Sequence, residues 1–362
     1  MMKKIAAAVL ALVLILSACA SSLAVDESVE GVLVIYSSMY QYVLDMLDDA
    51  IREEFPNLIP GNNGSFFVYG GSSSLINRIY DEMANGRLGC DMMLVAEPAL
   101  SLELKDAGYL EPIAVDNPSD LLRFPYDEEG YWYPVRVCNM VLAYNPSLEA
   151  YWAEKGVTIP KTFEEFAFNK QLKGYIAMGD PLTSGTTFAA VASLIQADHY
   201  GRRYLRGLAA NHVSILSGSA AIHELQEGNI AVVMILEESV LKAQKDAKDK
   251  GEAVDLACIY PDDGVILIPS TVMTVAGDRS LNNNIKACEA VEKWFLSAPA
   301  QELILQGYMH SVFKNMDKIP YGSVDTEMLI KKDLGVKWEN AYHSREDINL
   351  AWIEIVANGQ ER

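Results

Sequence analysis

The sequence predicts an α/β protein of two lobes, each a sheet flanked by helices, with a ligand cleft between them. Three observations predict it. The chain has 362 residues, more than one compact core usually organises, which favours two lobes. Continuous apolar runs of strand length alternate with segments of helical spacing, as parallel βαβ units covered on both faces require. A second such alternation begins near Tyr144, and the two sets flank candidate crossing strands near Arg136 to Ala143 and Val265 to Thr274.

The elements follow in order. Lys3 and Lys4 precede an unbroken apolar run from Ile5 to Leu16, then Ser17-Ala18-Cys19. Charge, apolar run and small residues in that order form a secretory signal, too short to span a bilayer comfortably. Small residues ahead of Cys19 resemble a bacterial lipobox, which implies cleavage before Cys19 and a lipid on its sulfur. Residues 1–19 are therefore read as the signal and 20–30 as a polar tether. Val32 to Tyr36 reads as a strand, buried on both faces because every position is apolar. Tyr40, Val43, Leu44, Leu47, Ile51 and Phe55 recur at helical spacing until Pro56. Phe66 to Tyr69 is the next strand, Leu75 to Met83 the next helix, and Met92 to Val95 a third strand.

In the second set, helices are expected near Thr162 to Phe168, Thr186 to Asp198 and Ala220 to Gln226. Strands are expected near Val213 to Leu216, Ile230 to Leu236 and Val254 to Tyr260. Val265 to Ala276 is a long β-branched stretch, followed by helices at Lys286 to Leu296 and Ala300 to Gln306. The tail turns helical around Thr326 to Lys332 and Asp347 to Ala357.

Half the residues are apolar and 22% are charged, so the chain is globular rather than disordered. A formal net charge of −20 repels phosphate backbones and excludes nucleic acid as a partner. Cys90, Cys138, Cys258 and Cys288 sit far apart among apolar neighbours, as buried free thiols do; one or two disulfides are the alternative. The histidines are scattered, with no pair at metal-ligand spacing. No HExxH, GxSxG, Walker A or EF-hand pattern is present.

Three places share one design. Tyr36-Ser37-Ser38, Gly70-Gly71-Ser72-Ser73-Ser74 and Thr183-Ser184-Gly185-Thr186-Thr187 each stand just before, or at the opening of, a helix. Ligands of open α/β sheets bind at the carboxyl ends of strands. Helix starts there present free N–H groups and the positive end of the dipole, an anion cradle that needs no lysine. Taken singly, such serines and threonines are plain helix caps. Arg136 either clamps a carboxylate or phosphate or forms an interlobe salt bridge. Glu237 and Glu238 follow a buried strand directly, so they either bind a cation, hydroxyls or a metal, or stabilise the next helix's first turn. Glu237 comes first and is the stronger candidate; Glu97, before Pro98, has the same two readings.

Motifs in order along the chain add to this. They are Val34-Ile35-Tyr36-Ser37-Ser38, Tyr69-Gly70-Gly71-Ser72, Arg87-Leu88-Gly89-Cys90-Asp91 and Thr183-Ser184-Gly185-Thr186. Further on come Glu227-Gly228-Asn229-Ile230-Ala231, Tyr260-Pro261-Asp262-Asp263-Gly264 and Ile268-Pro269-Ser270-Thr271. In these the chain resembles the bacterial extracellular solute-binding proteins of ABC importers that include ferric-iron-binding proteins and relatives for phosphorylated or phosphonate solutes. The resemblance covers nearly all of the chain after the signal. It implies a type II periplasmic-binding-protein-like fold that closes on its ligand like a hinge. Lobe 1 is then 31–138 with 268–318, and lobe 2 is 139–267 with 319–362. It also implies a monomer without cofactor or catalysis, tethered by Cys19 and serving an ABC permease.

By the same resemblance, iron-binding members hold Fe(III) with a histidine, a glutamate and two adjacent tyrosines. Tyr40 stands at the histidine position, Glu97 at the glutamate, and Glu237 and Glu238 at the tyrosines. Carboxylates can ligate hard cations, so those four residues form the alternative metal set. The departure from tyrosine favours an organic anion held by Ser37, Ser38, Ser72, Ser73, Thr183, Ser184, Gly185 and Thr186. A ligand-presenting sensor and a lipid-anchored hydrolase are the competing classes; against the hydrolase, the sequence has no visible nucleophile–base pair.

Overall fold

The computed structural model describes residues 25–252 and 255–357. The signal, Cys19 and the first part of the tether lie outside them. Strands are β1 (Gly31–Leu33), β2 (Ile35–Ser37), β3 (Leu58–Pro60), β4 (Phe67–Tyr69), β5 (Met92–Val95) and β6 (Leu110–Glu111). They continue as β7 (Tyr133–Tyr144), β8 (Ile176–Met178), β9 (Ser214–Ile215), β10 (Val232–Leu236), β11 (Ala257–Ile259) and β12 (Ile266–Val275).

One sheet runs β4-β2-β5-β12-β7-β10-β8-β9, with β11 added on β7 and β6 on β12. At one end β2 pairs in parallel with β4 and β5; at the other β8 pairs in parallel with β9 and β10. The long antiparallel pair β7 and β12 joins the two ends, and apart from Tyr144 every residue of both strands is buried. These are the expected crossing strands. They belong to both halves, so the halves share one sheet path.

Buried side chains gather on either side of that junction. One group holds Leu44, Leu47 and Ile51 from the Gln41–Glu54 helix with Trp294, Phe295 and Ile304. Another holds Trp152, Phe163, Phe188 and Leu205 with Ile348 and Trp352 from the C-terminal region. Leu329 packs with the first group, so the C-terminal stretch changes sides along its length.

The expected Val32 to Tyr36 strand is in fact two. Val34 donates its N–H to the buried Asp91 carboxylate at 2.9 Å instead of to a strand neighbour. That diversion lets β1 pair with β3 while β2 joins the main sheet. β8 and the Arg203–Ala210 and Trp338–His343 helices were not legible: each is short and lacks a complete periodic pattern. All four cysteines within the described residues are free thiols. No helix among these residues is long and apolar enough to cross a membrane.

Candidate functional site

A cleft of about 550 Å³ opens where the two halves meet. Its walls are built from helix starts. The helices Gln41–Glu54, Ser72–Ala84, Gly185–Gln196, Gly218–Glu227 and Glu237–Lys250 all begin at the cleft. Tyr40, Gly71, Ser72, Ser184, Thr186, Ser217, Gly218, Leu236 and Glu238 from these starts line it. The first N–H groups of a helix have no intrahelical carbonyl, so the converging starts bring unpaired N–H groups and positive dipole ends to the cleft, with Asp180 and Glu238 also in its lining.

The sequence candidates divide into those at the cleft and those behind it. Ser38, Ser72, Thr183, Ser184, Thr186, Arg136 and Glu238 line it. Gly185 opens its helix and is packed too tightly for any side chain. A Cβ there would stand 2.6 Å from Glu97 Oε2 and 2.7 Å from Ser72 Cβ. This close approach brings a helix start of the second half against one of the first. Ser184 caps its helix, accepting from the Thr187 N–H at 3.2 Å, and its hydroxyl lies 3.2 Å from that of Thr186. Capping and cradle are thus compatible: the hydroxyl satisfies one N–H and leaves those of Gly185 and Thr186. Ser38 Oγ accepts from Ala96 N–H at 3.2 Å. Ser37 is fully buried and serves the turn, accepting from Met39 N–H at 3.2 Å. Ser73 follows Ser72 in the helix, and its side chain lies outside the description.

The carboxylates depart from the expected order. Glu237, the stronger candidate by sequence, is buried behind the wall and already saturated. Tyr260 donates to it at 2.6 Å, Asn139 at 3.2 Å, and Ser323 also donates; His310 Nε2 lies 3.0 Å away. Burial alone would push its carboxyl up, but the bonds from His310, Ser323 and Tyr260 outweigh burial and hold it below the usual range. Ser323 and His310 are 3.2 Å apart, and neither lines the cleft. Glu238 is the residue that reaches the cleft. Its Oε1 lies 3.7 Å from Arg136 Nη1 and makes no hydrogen bond. Burial pushes this carboxyl up, and Arg136 only partly counters that.

Glu97 stands at the N-cap position of the Pro98–Asp106 helix without a side-chain capping bond, and its buried carboxylate pairs with the half-buried Arg345. Burial again pushes its carboxyl up, with Arg345 acting against it. Tyr40 donates to or accepts from Ser239 at 2.6 Å. The alternative metal set of Tyr40, Glu97, Glu237 and Glu238 is therefore dispersed, each residue engaging different partners: Ser239, Arg345, His310 with Ser323 and Tyr260, and Arg136. No group of three or more His, Cys, Asp or Glu among the described residues is placed to hold a metal ion.

Sequence reasoning missed Tyr69, Asp180, Ser217, Gly218 and Ser239, which also line the cleft. Ser217-Gly218 follows β9 and opens a helix, the same signal that identified the other loops. His310 carried no signal, because its partners are distant in sequence.

These contacts make a stability prediction. Glu237→Gln should cost about 1.5–3 kcal/mol by weakening charge-assisted bonds, with ligand affinity little changed. The depressed carboxyl contributes stability above the unfolded value of about 4.3, and that contribution is lost as pH falls through the folded value. Urea melts at pH 7 and below pH 4 should show the variant's deficit shrinking in acid. An affinity loss at unchanged stability would contradict this placement.

Comparison with known proteins agrees with the fold. The periplasmic binding protein P5PA superposes with a TM-score of 0.73 at 19% identity, covering 90% of this chain and all, 100%, of that one. AfuA from Actinobacillus pleuropneumoniae, with exogenous fructose-6-phosphate bound, gives 0.71 at 19% identity, covering 90% and 98%. Iron-bound HitA from Pseudomonas aeruginosa gives 0.69 at 18% identity, covering 88% and 99%. At such identities the likeness establishes the two-lobed fold alone. No curated protein matches the chain. The model of one sequence family matches residues 90–322, most of the chain including both crossing strands and most of the cleft. On that match, this chain is a member of the bacterial extracellular solute-binding proteins.

Proposed function

We propose that this chain captures a small organic anion, a phosphorylated sugar or a phosphonate, and hands it to the permease of an ABC importer. The observation that carries the reading is the ring of hydroxyl-rich helix starts around the cleft. Such a ring binds an anion by backbone N–H groups and dipoles. Ser38, Ser72, Ser184, Gly185 and Thr186 hold the charged group, while Asp180 and Ser217 are placed for ligand hydroxyls. AfuA with its phosphosugar supports this by analogy of fold. Iron-bound HitA is the counter-example; here Glu97 and Glu237 are already committed to Arg345 and His310.

Residues 31–138 with 268–318 and 139–267 with 319–362 form the two lobes, the segment around Leu329 riding with the first. β7 and β12 are the hinge. Closure buries the ligand and shifts a pre-existing open–closed equilibrium. The chain acts as a monomer without cofactor.

Mass spectrometry of small molecules released on denaturing the purified protein tests the reading. A stoichiometric organic anion is expected. Stoichiometric iron that disappears in Glu238→Gln would overturn it.

The same proposal places the protein on the outer side of the cell membrane through Cys19. Metabolic labelling with a fatty acid should mark the wild type and not Cys19→Ala. Label persisting in the variant would remove the lipid anchor from the reading.

A further inference from the structure

Arg136 is a buried cation whose ion pair with Glu238, the salt bridge its sequence position allowed, is loose at 3.7 Å and carries no hydrogen bond. It stands on β7 opposite Ser270, where the β7–β12 register shifts between Ser270 and Thr271, two residues from Pro134, which has no N–H to give the ladder. Such bulges re-aim side chains, and Arg136 lines the cleft. Arg136 is only 2% exposed. A guanidinium has five N–H donors. Here Nη1 meets two sulfurs, Cys138 at 3.1 Å and Met309 at 2.6 Å, which are weak acceptors. Glu238 Oε1 stands off at 3.7 Å, and Nε has no partner. Among the described residues, no oxygen accepts a hydrogen bond from this buried charge. The Ser270 hydroxyl opposite is equally without a partner. A buried charge held so loosely is unfavourable until an acceptor completes it.

This spot is separate from the tight junction of helix starts. There Ser72 and Gly185 pack over Glu97, and Glu97 answers to Arg345. No hydrogen bond or ion pair joins Arg136 to those residues. A cleft of about 550 Å³ lets one small ligand touch both places.

We propose that Arg136 is a second anion subsite, so that the ligand carries a carboxylate in addition to the phosphoryl or phosphonyl group on the helix starts. The ligand class is then a small phosphorylated or phosphonylated acid. This rests on the anion reading above and narrows it. A planar carboxylate matches the guanidinium fork with two parallel bonds, which a hydroxyl cannot do. Glu238 leaves the fork open: its Oε1 stands 3.7 Å from Nη1 without a hydrogen bond, and burial pushes this carboxyl up against the pull of Arg136.

Isothermal titration of the wild-type protein with two matched pairs of probes tests this. They are 6-phosphogluconate against glucose 6-phosphate, and phosphonoacetate against ethylphosphonate. In at least one pair the carboxylate member should bind about tenfold tighter or more. Arg136→Gln should remove that advantage and leave the other member within about twofold. Arg136→Lys keeps the charge and is the control for folding; it should retain part of the advantage. Equal binding within both pairs would overturn the second subsite and leave the anion reading standing. Binding of none of the probes at millimolar concentration would count against both.

Discussion

Thr186→Asp should abolish ligand binding while leaving the protein at least as stable as the wild type. Thr186 lies in the first turn of the Gly185–Gln196 helix and lines the cleft. A carboxylate there would occupy the N–H groups meant for the ligand and repel its charge. The same carboxylate sits at the positive end of a helix, where an acidic residue stabilises by about 0.3–1 kcal/mol. Affinity and stability therefore move in opposite directions, which separates loss of the site from loss of the fold. Titration with the released ligand and a thermal melt of the same sample measure both. Normal binding by Thr186→Asp would mean that the anion lies elsewhere.

Arg345→Ala should be among the most destabilising single changes in the molecule. Arg345 pairs with Glu97 and stacks 4.6 Å over the Phe188 ring. Glu97 belongs to the β5 end of the sheet, whereas Phe188 and the helix Arg345–Trp352 pack in the other half. Removing the cation leaves a buried carboxylate unpaired, a loss of about 3–5 kcal/mol. Burial already pushes the Glu97 carboxyl up against the pull of Arg345, and without Arg345 it would rise further. The folded variant then binds a proton that the unfolded chain, near 4.3, has released. Its deficit should be full above the folded value and shrink as pH falls through it. Adding Glu97→Gln to Arg345→Ala should restore part of the loss at neutral pH. A deficit that is independent of pH, with no rescue by the second change, would refute a charge-pair origin.

This pair bears on what the cleft binds. The resemblance puts Glu97 where iron-binding relatives carry a ligand, and here Arg345 neutralises that carboxylate from within the chain. In this chain Glu97 is an internal contact between the halves, beneath the Ser72–Gly185 junction.

Much of this protein was legible in its sequence. Runs such as Met92 to Val95, short and apolar at every position, read as strands covered on both faces, and this one is. Ser184-Gly185-Thr186 and Gly71-Ser72 announce helix starts, because capping chemistry is local and needs only neighbouring residues. What remained hidden depends on residues far apart in the chain. Asp91 splits the first strand by reaching Val34, and Arg345 claims Glu97 across 248 positions. Glu237 and Glu238 are adjacent and chemically identical, so sequence could rank them only by order. Tertiary structure decided between them. Consecutive residues in the first turn of a helix point about 100° apart, which turns Glu237 inward to His310, Ser323 and Tyr260 and leaves Glu238 beside Arg136 at the cleft.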